Sequence, residues 1–183
     1  MSAVAVLSAK YLYTKLKNDF PTLPAGAHDE PRMHEFILTL SKETFDRCEK
    51  AGVPKASVIA KVGKLFLDFG LHAPTVAFPE QYGLMIEPTE SFTKDELDRF
   101  IEVVRAIYVL VRENPEVLAT APHFTPISKV DEVGANKNLV LSGDLSKLPL
   151  ILKNRVEPGA LGKMPVNDII KQIIEAHQAK KLQ

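Results

Sequence analysis

The chain has one cysteine, no excess of charge and no long apolar run, and each of these absences excludes a class of protein. A single cysteine, Cys48, cannot form an internal disulfide framework, and it fits a reducing compartment, so the cytoplasm is expected. Lys and Arg number 23 and Asp and Glu also number 23, which removes the electrostatic argument for nucleic acid or an anionic membrane surface. No stretch approaches the roughly 20 apolar residues that cross a bilayer. The segment Met1 to Lys10 is mildly apolar but has no basic region at its start. A helical pattern continues past it, so it does not read as a signal peptide.

Signatures of common chemistries are missing as well. There is no Gly-x-x-x-x-Gly-Lys loop, no Gly-x-Gly-x-x-Gly and no Gly-x-Ser-x-Gly elbow. None of the five histidines, His28, His34, His72, His123 and His177, pairs with another at metal-ligand spacing, so no metal site is expected. No internal repeat or low-complexity segment is visible.

What remains is an ordinary globular composition, 45% apolar and 25% charged over 183 residues, sufficient for a sizeable core. Apolar spacing at Val4, Leu7, Tyr11 and Leu12 predicts a helix over 3–18, stopped before Pro21. Pro24, Gly26 and Pro31 mark a loop. Residues 33–40 read as a central or well-covered strand, because both faces are apolar. A helix over 55–69 follows, with a broad stripe from Val58 to Phe69, and Gly70 sits where a left-handed cap is wanted. Residues 71–82 read as a loop or short strand leading into a strand at 83–87, which precedes Thr93 and Glu96, a capping box that opens a helix to about 112. Asn114-Pro115 stops it, and Glu116 to Ala119 reads as one further short turn. Turns at Ser142 to Asp144 and Val156 to Gly159 lead to a short helix over 166–176. The fold class is therefore α+β, helices packed on a small sheet. Residues 1–138 are expected to form one domain, with 139–183 a tail bearing the terminal helix.

The most position-specific stretch is 70–100: Gly70-Leu71-His72-Ala73-Pro74-Thr75, Phe78-Pro79, then Leu84 to Ser91 and Lys94 to Phe100. His72 follows a helix end in a loop, where binding residues tend to sit on a rigid scaffold, although turn histidines also bond to backbone. His34-Glu35 opens the first strand, either as a solvated pair or as a contact to another domain. Glu87 and Glu90 are readily explained as helix-terminus carboxylates. His123 lies in Ala-Pro-His-Phe-Thr-Pro, an extended strap that is a candidate for a subunit interface. Of the arginines suited to a substrate carboxylate, Arg99 and Arg105 lie among acids and are expected to be salt-bridged, whereas Arg32 is in a loop and more open. Nothing lowers the Cys48 thiol, which is expected to be inert.

Together with Ala9 to Leu12, His34 to Leu38, Asn114-Pro115 and Ala121 to Thr125, this stretch resembles the C-terminal region of the glycine decarboxylase P-protein, the pyridoxal-phosphate subunit of the glycine cleavage system. The resemblance covers about the first 138 residues, in order. It implies the small C-terminal domain of a fold-type-I pyridoxal enzyme, with His72, Thr75, His34 and Arg32 as candidates for lining the cofactor cleft. The family reaction removes the glycine carboxyl group as carbon dioxide and passes the aminomethyl group to the lipoyl arm of the H-protein. It uses a Schiff-base lysine in a His-Lys-Thr segment followed by glycines, and this chain has no such segment. The resemblance thus implies that pyridoxal phosphate is held by a large domain outside this chain, that no catalytic residue lies here, and that the partners are that cofactor-bearing part and the lipoylated H-protein. Two other readings stay open: a non-catalytic partner of a separately encoded chain, or the small domain of another fold-type-I enzyme.

Overall fold

The computed structural model describes residues 2–125, 131–139, 143 and 156–181. The expected turn at Ser142 to Asp144 falls largely outside them. The elements run α1 (Ser2–Leu16), β1 (Thr22–Leu23), β2 (Phe36–Thr39), α2 (Lys42–Lys50), α3 (Lys55–Asp68), β3 (Thr75–Val76), β4 (Gly83–Ile86), α4 (Lys94–Glu113), a 3₁₀ helix (Pro115–Thr120), α5 (Glu132–Lys137), α6 (Pro158–Lys163) and α7 (Val166–Lys181). Helices pack on one small antiparallel sheet of order β1-β2-β4-β3, an α+β fold. None of the described helices is long and apolar enough to cross a membrane.

Alternation sets the faces of the sheet. Phe36, Leu38, Leu84 and Ile86 are buried against the helices, while Ile37 pairs across to Met85 and Met85 to Thr75 on the other face. β2 is central, flanked by β1 and β4, which is why both of its faces read as apolar. It is shorter than the 33–40 expected from sequence, because Met33 stands out in solvent at 72% exposure. Ser41 caps the helix α2, which the sequence reading lacks: its Oγ accepts from Thr44 N at 3.2 Å, and Thr44, Phe45 and Cys48 turn inward.

The buried face of α1 is Ser8, Ala9, Leu12, Tyr13 and Leu16 rather than the stripe through Val4 and Leu7, which remain exposed. The reason is an overhang. α1 runs beside α4 in the same direction, with Tyr11 bonded to Asp98 and Arg105 bonded to Lys15 O and Asp19. The first two turns of α1 therefore lie level with or beyond the start of α4. That start is a capping box, as expected: Thr93 Oγ1 accepts from Glu96 N at 3.3 Å and Glu96 Oε2 accepts from Thr93 N at 2.8 Å. These bonds from Thr93, the backbone one foremost, hold the Glu96 carboxyl below its usual range.

The last helices join the same core, to which Leu161, Ile169 and Ile173 all belong. Pro158 and Gly159, read as the end of a turn in the sequence, open α6 instead. α6 sits against the end of α3, which closes in a Schellman motif with Gly70 N donating to Leu67 O and Leu71 N to Phe66 O, both at 3.0 Å. Gly70 has φ +73°, and a Cβ there would lie 2.5 Å from Pro158 O and 2.7 Å from Gly162 N. Arg99 fastens the other side of α6, its Nη2 donating to Met164 O at 2.6 Å and to Leu161 O at 3.4 Å while Nη1 pairs with Glu102. Gly70→Ala therefore combines a left-handed strain with a backbone collision. It is expected to lower stability by about 2 kcal/mol or more, read as a lower urea midpoint at unchanged slope; an unchanged midpoint would contradict this packing.

Candidate functional site

The sheet order carries three separate segments to one end. Residues 32–35 precede β2, Glu87 follows its antiparallel neighbour β4, and His72 to Pro74 lead into β3, antiparallel to β4 on its other side. His34 and His72, far apart in sequence, thus emerge at the same end of the sheet. Thr75 is exposed on the outer face, one strand from Met85. His72 is exposed and its Nδ1 lies 2.9 Å from Ala73 O, a turn histidine held against its own backbone.

Continuing the β2–β4 register by one residue sets Glu35 opposite Glu87, two like charges on the outer face. His34 Nε2 lies 3.9 Å from a carboxylate oxygen of each. One ligand atom from each of the three residues can be chosen so that all lie within 4.8 Å of one another. These donor types could hold a cation, but all three side chains are about half exposed and the donors come from two strands, so no spacing in the sequence displays them.

Arg32 sits on the helical side. Its guanidinium lies 5.1 Å from the Tyr13 ring centroid and donates to Ala27 O at 2.6 Å and Tyr13 Oη at 3.4 Å. Tyr13 in turn packs edge-on to Phe36 of β2. Among the described residues Arg32 has no ion-pair partner, and its enclosed Nε has no acceptor. A half-buried guanidinium without a carboxylate partner has free capacity for an anion. Arg105 pairs with Asp19 and Arg99 with Glu102, so these two are engaged, as their acidic surroundings suggest. Cys48 is buried, and that burial pushes its thiol up to about 11, which leaves it inert.

The strap around His123 is turned inward. His123 has no exposed side-chain surface and neither has Asp68, the last residue of α3. Asp68 Oδ1 accepts from His123 N at 2.7 Å and Phe124 N at 3.0 Å, and Oδ2 lies 2.8 Å from His123 Nδ1. The other ring nitrogen of His123 meets Thr120 Oγ1 at 3.0 Å, and Thr120 Oγ1 meets His177 Nδ1 of α7 at 2.7 Å. Sequence reading missed this chain of groups. Its one signal is Asp68 itself, an acid inside the apolar stripe of α3 and at the helix end whose dipole disfavours it.

Comparison with known proteins identifies the family of this domain. Residues 1–123 match the family profile described as glycine dehydrogenase, C-terminal domain. The chain is 42% identical over 142 residues to a probable glycine dehydrogenase (decarboxylating) subunit 2 of Caldanaerobacter subterraneus subsp. tengcongensis, covering 76% of this chain and 27% of that protein. It is 41% identical over 153 residues to the Pyrococcus horikoshii protein of the same description, covering 80% and 28%. To the one from Aquifex aeolicus it is 41% identical over 143 residues, covering 77% and 27%. The chain therefore spans about a quarter of the length of the curated relatives it matches.

Replacing Asp68 by Asn turns one of its acceptor atoms into a donor facing buried N–H groups. The expected loss of stability is about 3 kcal/mol, measured by chemical denaturation. A loss under about 0.5 kcal/mol, the range of an ordinary surface substitution, would show that the clamp carries no weight.

Proposed function

Because the chain belongs to the family of glycine dehydrogenase C-terminal domains, we propose that it serves as the small domain of a glycine decarboxylase, the P-protein of the glycine cleavage system. In this reading it contributes to pyridoxal-phosphate-dependent decarboxylation of glycine and transfer of the aminomethyl group to the lipoyl arm of the H-protein. The observation that carries the reading is the convergence of His34, Glu87 and the His72 loop at one end of the sheet, with Arg32, which has no acid partner among the described residues, on the helical side of the segment that leads into β2. The reaction is taken to run in the cytoplasm, in keeping with the single cysteine.

The residues present do not fit covalent attachment of the cofactor. A Schiff-base lysine is activated by desolvation or by a neighbouring cation. None of the lysines among the described residues is buried, and Lys94 is shifted upward, first by its bond to Asp98. Pyridoxal phosphate would therefore be bound by the cofactor-bearing part of the enzyme, and no step on it is assigned to this chain.

What the chain's own groups can supply is a wall for the cleft. Arg32, backed by Tyr13, has free donors for a carboxylate, the group that glycine carries and loses. His72 and His34, on backbone at the sheet end, can accept or donate one hydrogen bond each and shield the cleft from water. Thr75, on the edge strand, adds a hydroxyl on the outer face.

Two measurements test this. Alone with pyridoxal phosphate, the chain is expected to show no internal-aldimine absorbance near roughly 420 nm and no glycine-dependent carbon dioxide exchange; either signal would overturn the assignment. Added to a relative's glycine dehydrogenase from which the matched segment has been removed, it is expected to restore exchange. In that assembly His72→Ala and Arg32→Ala should lower exchange by roughly tenfold to a hundredfold through misplacement of the substrate. Full activity in both variants would remove these residues from the cleft.

A further inference from the structure

We propose that His177 is a proton-operated latch: in its neutral form it docks α7 on the 3₁₀ helix and the His123 strap, and protonation releases that helix end and uncovers Thr120. This inference is independent of the proposed function, since it concerns only how the chain holds its last helix. His177 also lies beyond residues 1–123, the part that matches the family profile.

The argument is one of proton placement. Asp68 Oδ2 faces His123 Nδ1, so that nitrogen carries the proton and Nε2 of neutral His123 is an acceptor. Thr120 has one hydroxyl proton. Val117 O at 3.2 Å and His123 Nε2 at 3.0 Å can each accept it, and given to either, the 2.7 Å contact to His177 Nδ1 is made by a proton on Nδ1; the line is complete when it goes to His123. The bonds then run in one direction, from His177 through Thr120 and His123 to Asp68, and every donor in the line has an acceptor. This leaves His177 Nε2 without a proton, and that atom is buried with no hydrogen-bond partner among the described residues. A bare imidazole nitrogen tolerates such a place better than an N–H does. The opposite tautomer would bury an unpaired donor and deprive His123 Nε2 of its only proton source.

Protonating His177 puts an N–H at that enclosed atom and a charge in its ring. His177 is only 4% exposed. The groups around it make the charge unwelcome. From α7 come Lys181 and Lys180, the latter donating to Thr120 O at 3.1 Å and Pro122 O at 3.0 Å. From the strap comes His123, with Asp68 behind it already engaged by three N–H groups. Among the described residues Glu116 of the 3₁₀ helix pulls the other way. Burial, then Lys181, with Glu116 opposing and His123 and Lys180 adding, hold the imidazole below its ordinary value of 6.5. The sign follows from linkage. The docked helix binds fewer protons than the free one, so docking is full above pH 6.5 and weakens as the pH falls towards the docked value.

The experiment is a nuclear magnetic resonance titration of the whole chain from about pH 7.5 to 5, near the range where histidine changes charge. It follows the ring signal of His177 and amide exchange from Ala176 to Lys180, the end of α7 that is released, corrected for intrinsic rates. The open population of α7 is expected to rise by about tenfold for each unit by which docking holds the imidazole down, while amides of β2 and β4 stay protected. His177→Asn keeps a donor at the Nδ1 position without a titrating ring, and its α7 exchange should not respond to pH over this range. Thr120→Val removes the acceptor, so its α7 should already be open at about pH 7.5 with the sheet still protected. The latch is overturned if α7 opens at the same pH in His177→Asn, if the opening does not follow the His177 ring signal, or if α7 exchanges only with the whole fold.

Discussion

The fold hangs on one enclosed carboxylate. Asp68 stands at the C-terminal end of α3, where the helix dipole opposes a negative charge by about 0.3–1 kcal/mol, and it is fully buried, which adds a larger penalty. Three N–H donors answer this, two from the backbone of His123 and Phe124 and one from the His123 ring. At about 1.5–3 kcal/mol for each bond to a charged group, the three together outweigh the dipole several times over. The result is directional. The strap is fixed to α3, His123 is fixed in one tautomer, and Thr120 and His177 are set in line behind it. Removing the acid would leave three donors stranded.

Around this anchor the layers arrange themselves by simple rules. Helices cover one face of the sheet and leave the other carrying Ile37, Met85 and Thr75, with Glu35 and Glu87 at its end. Antiparallel pairing turns the starts of β2 and β3 and the finish of β4 to the same side. Residues of three separate segments therefore share a neighbourhood without any of them being close in sequence. In the role proposed for this chain, which spans about a quarter of its relatives' length, such an end would face the cofactor-bearing part. A half-buried arginine with no acid partner among the described residues is more comfortable with an anion beside it.

Much of the fold was legible because its signals are local. The capping box at Thr93 and Glu96, the Gly70 cap and the apolar stripe of α3 each follow from residues a few positions apart. The α+β class followed from their order. β1 was not legible, and β3 only as a loop or short strand over 71–82, since two-residue strands exist only through their partners. α2 was missed because Thr44, Phe45 and Cys48 are a thin stripe between charged residues. The face of α1 was misjudged at Val4 and Leu7 because its overhang past α4 is a tertiary fact. Among the candidate site residues, the loop positions of Arg32 and His72 could be read, as could the pairing of Arg99 and Arg105. The inward turn of His123 could not, because its determinant is an aspartate 55 residues away.

The most direct test of this account is the protonation pattern of the His123 ring. Nitrogen-15 histidine spectra near neutral pH distinguish which ring nitrogen carries the proton and how fast it exchanges. A proton held by Asp68 would sit on Nδ1, exchange slowly with water and keep its signal in variants that remove His177. A ring protonated on Nε2, or an Nδ1 proton in rapid exchange, would mean that Asp68 does not clamp the strap and that the organisation described around it is wrong.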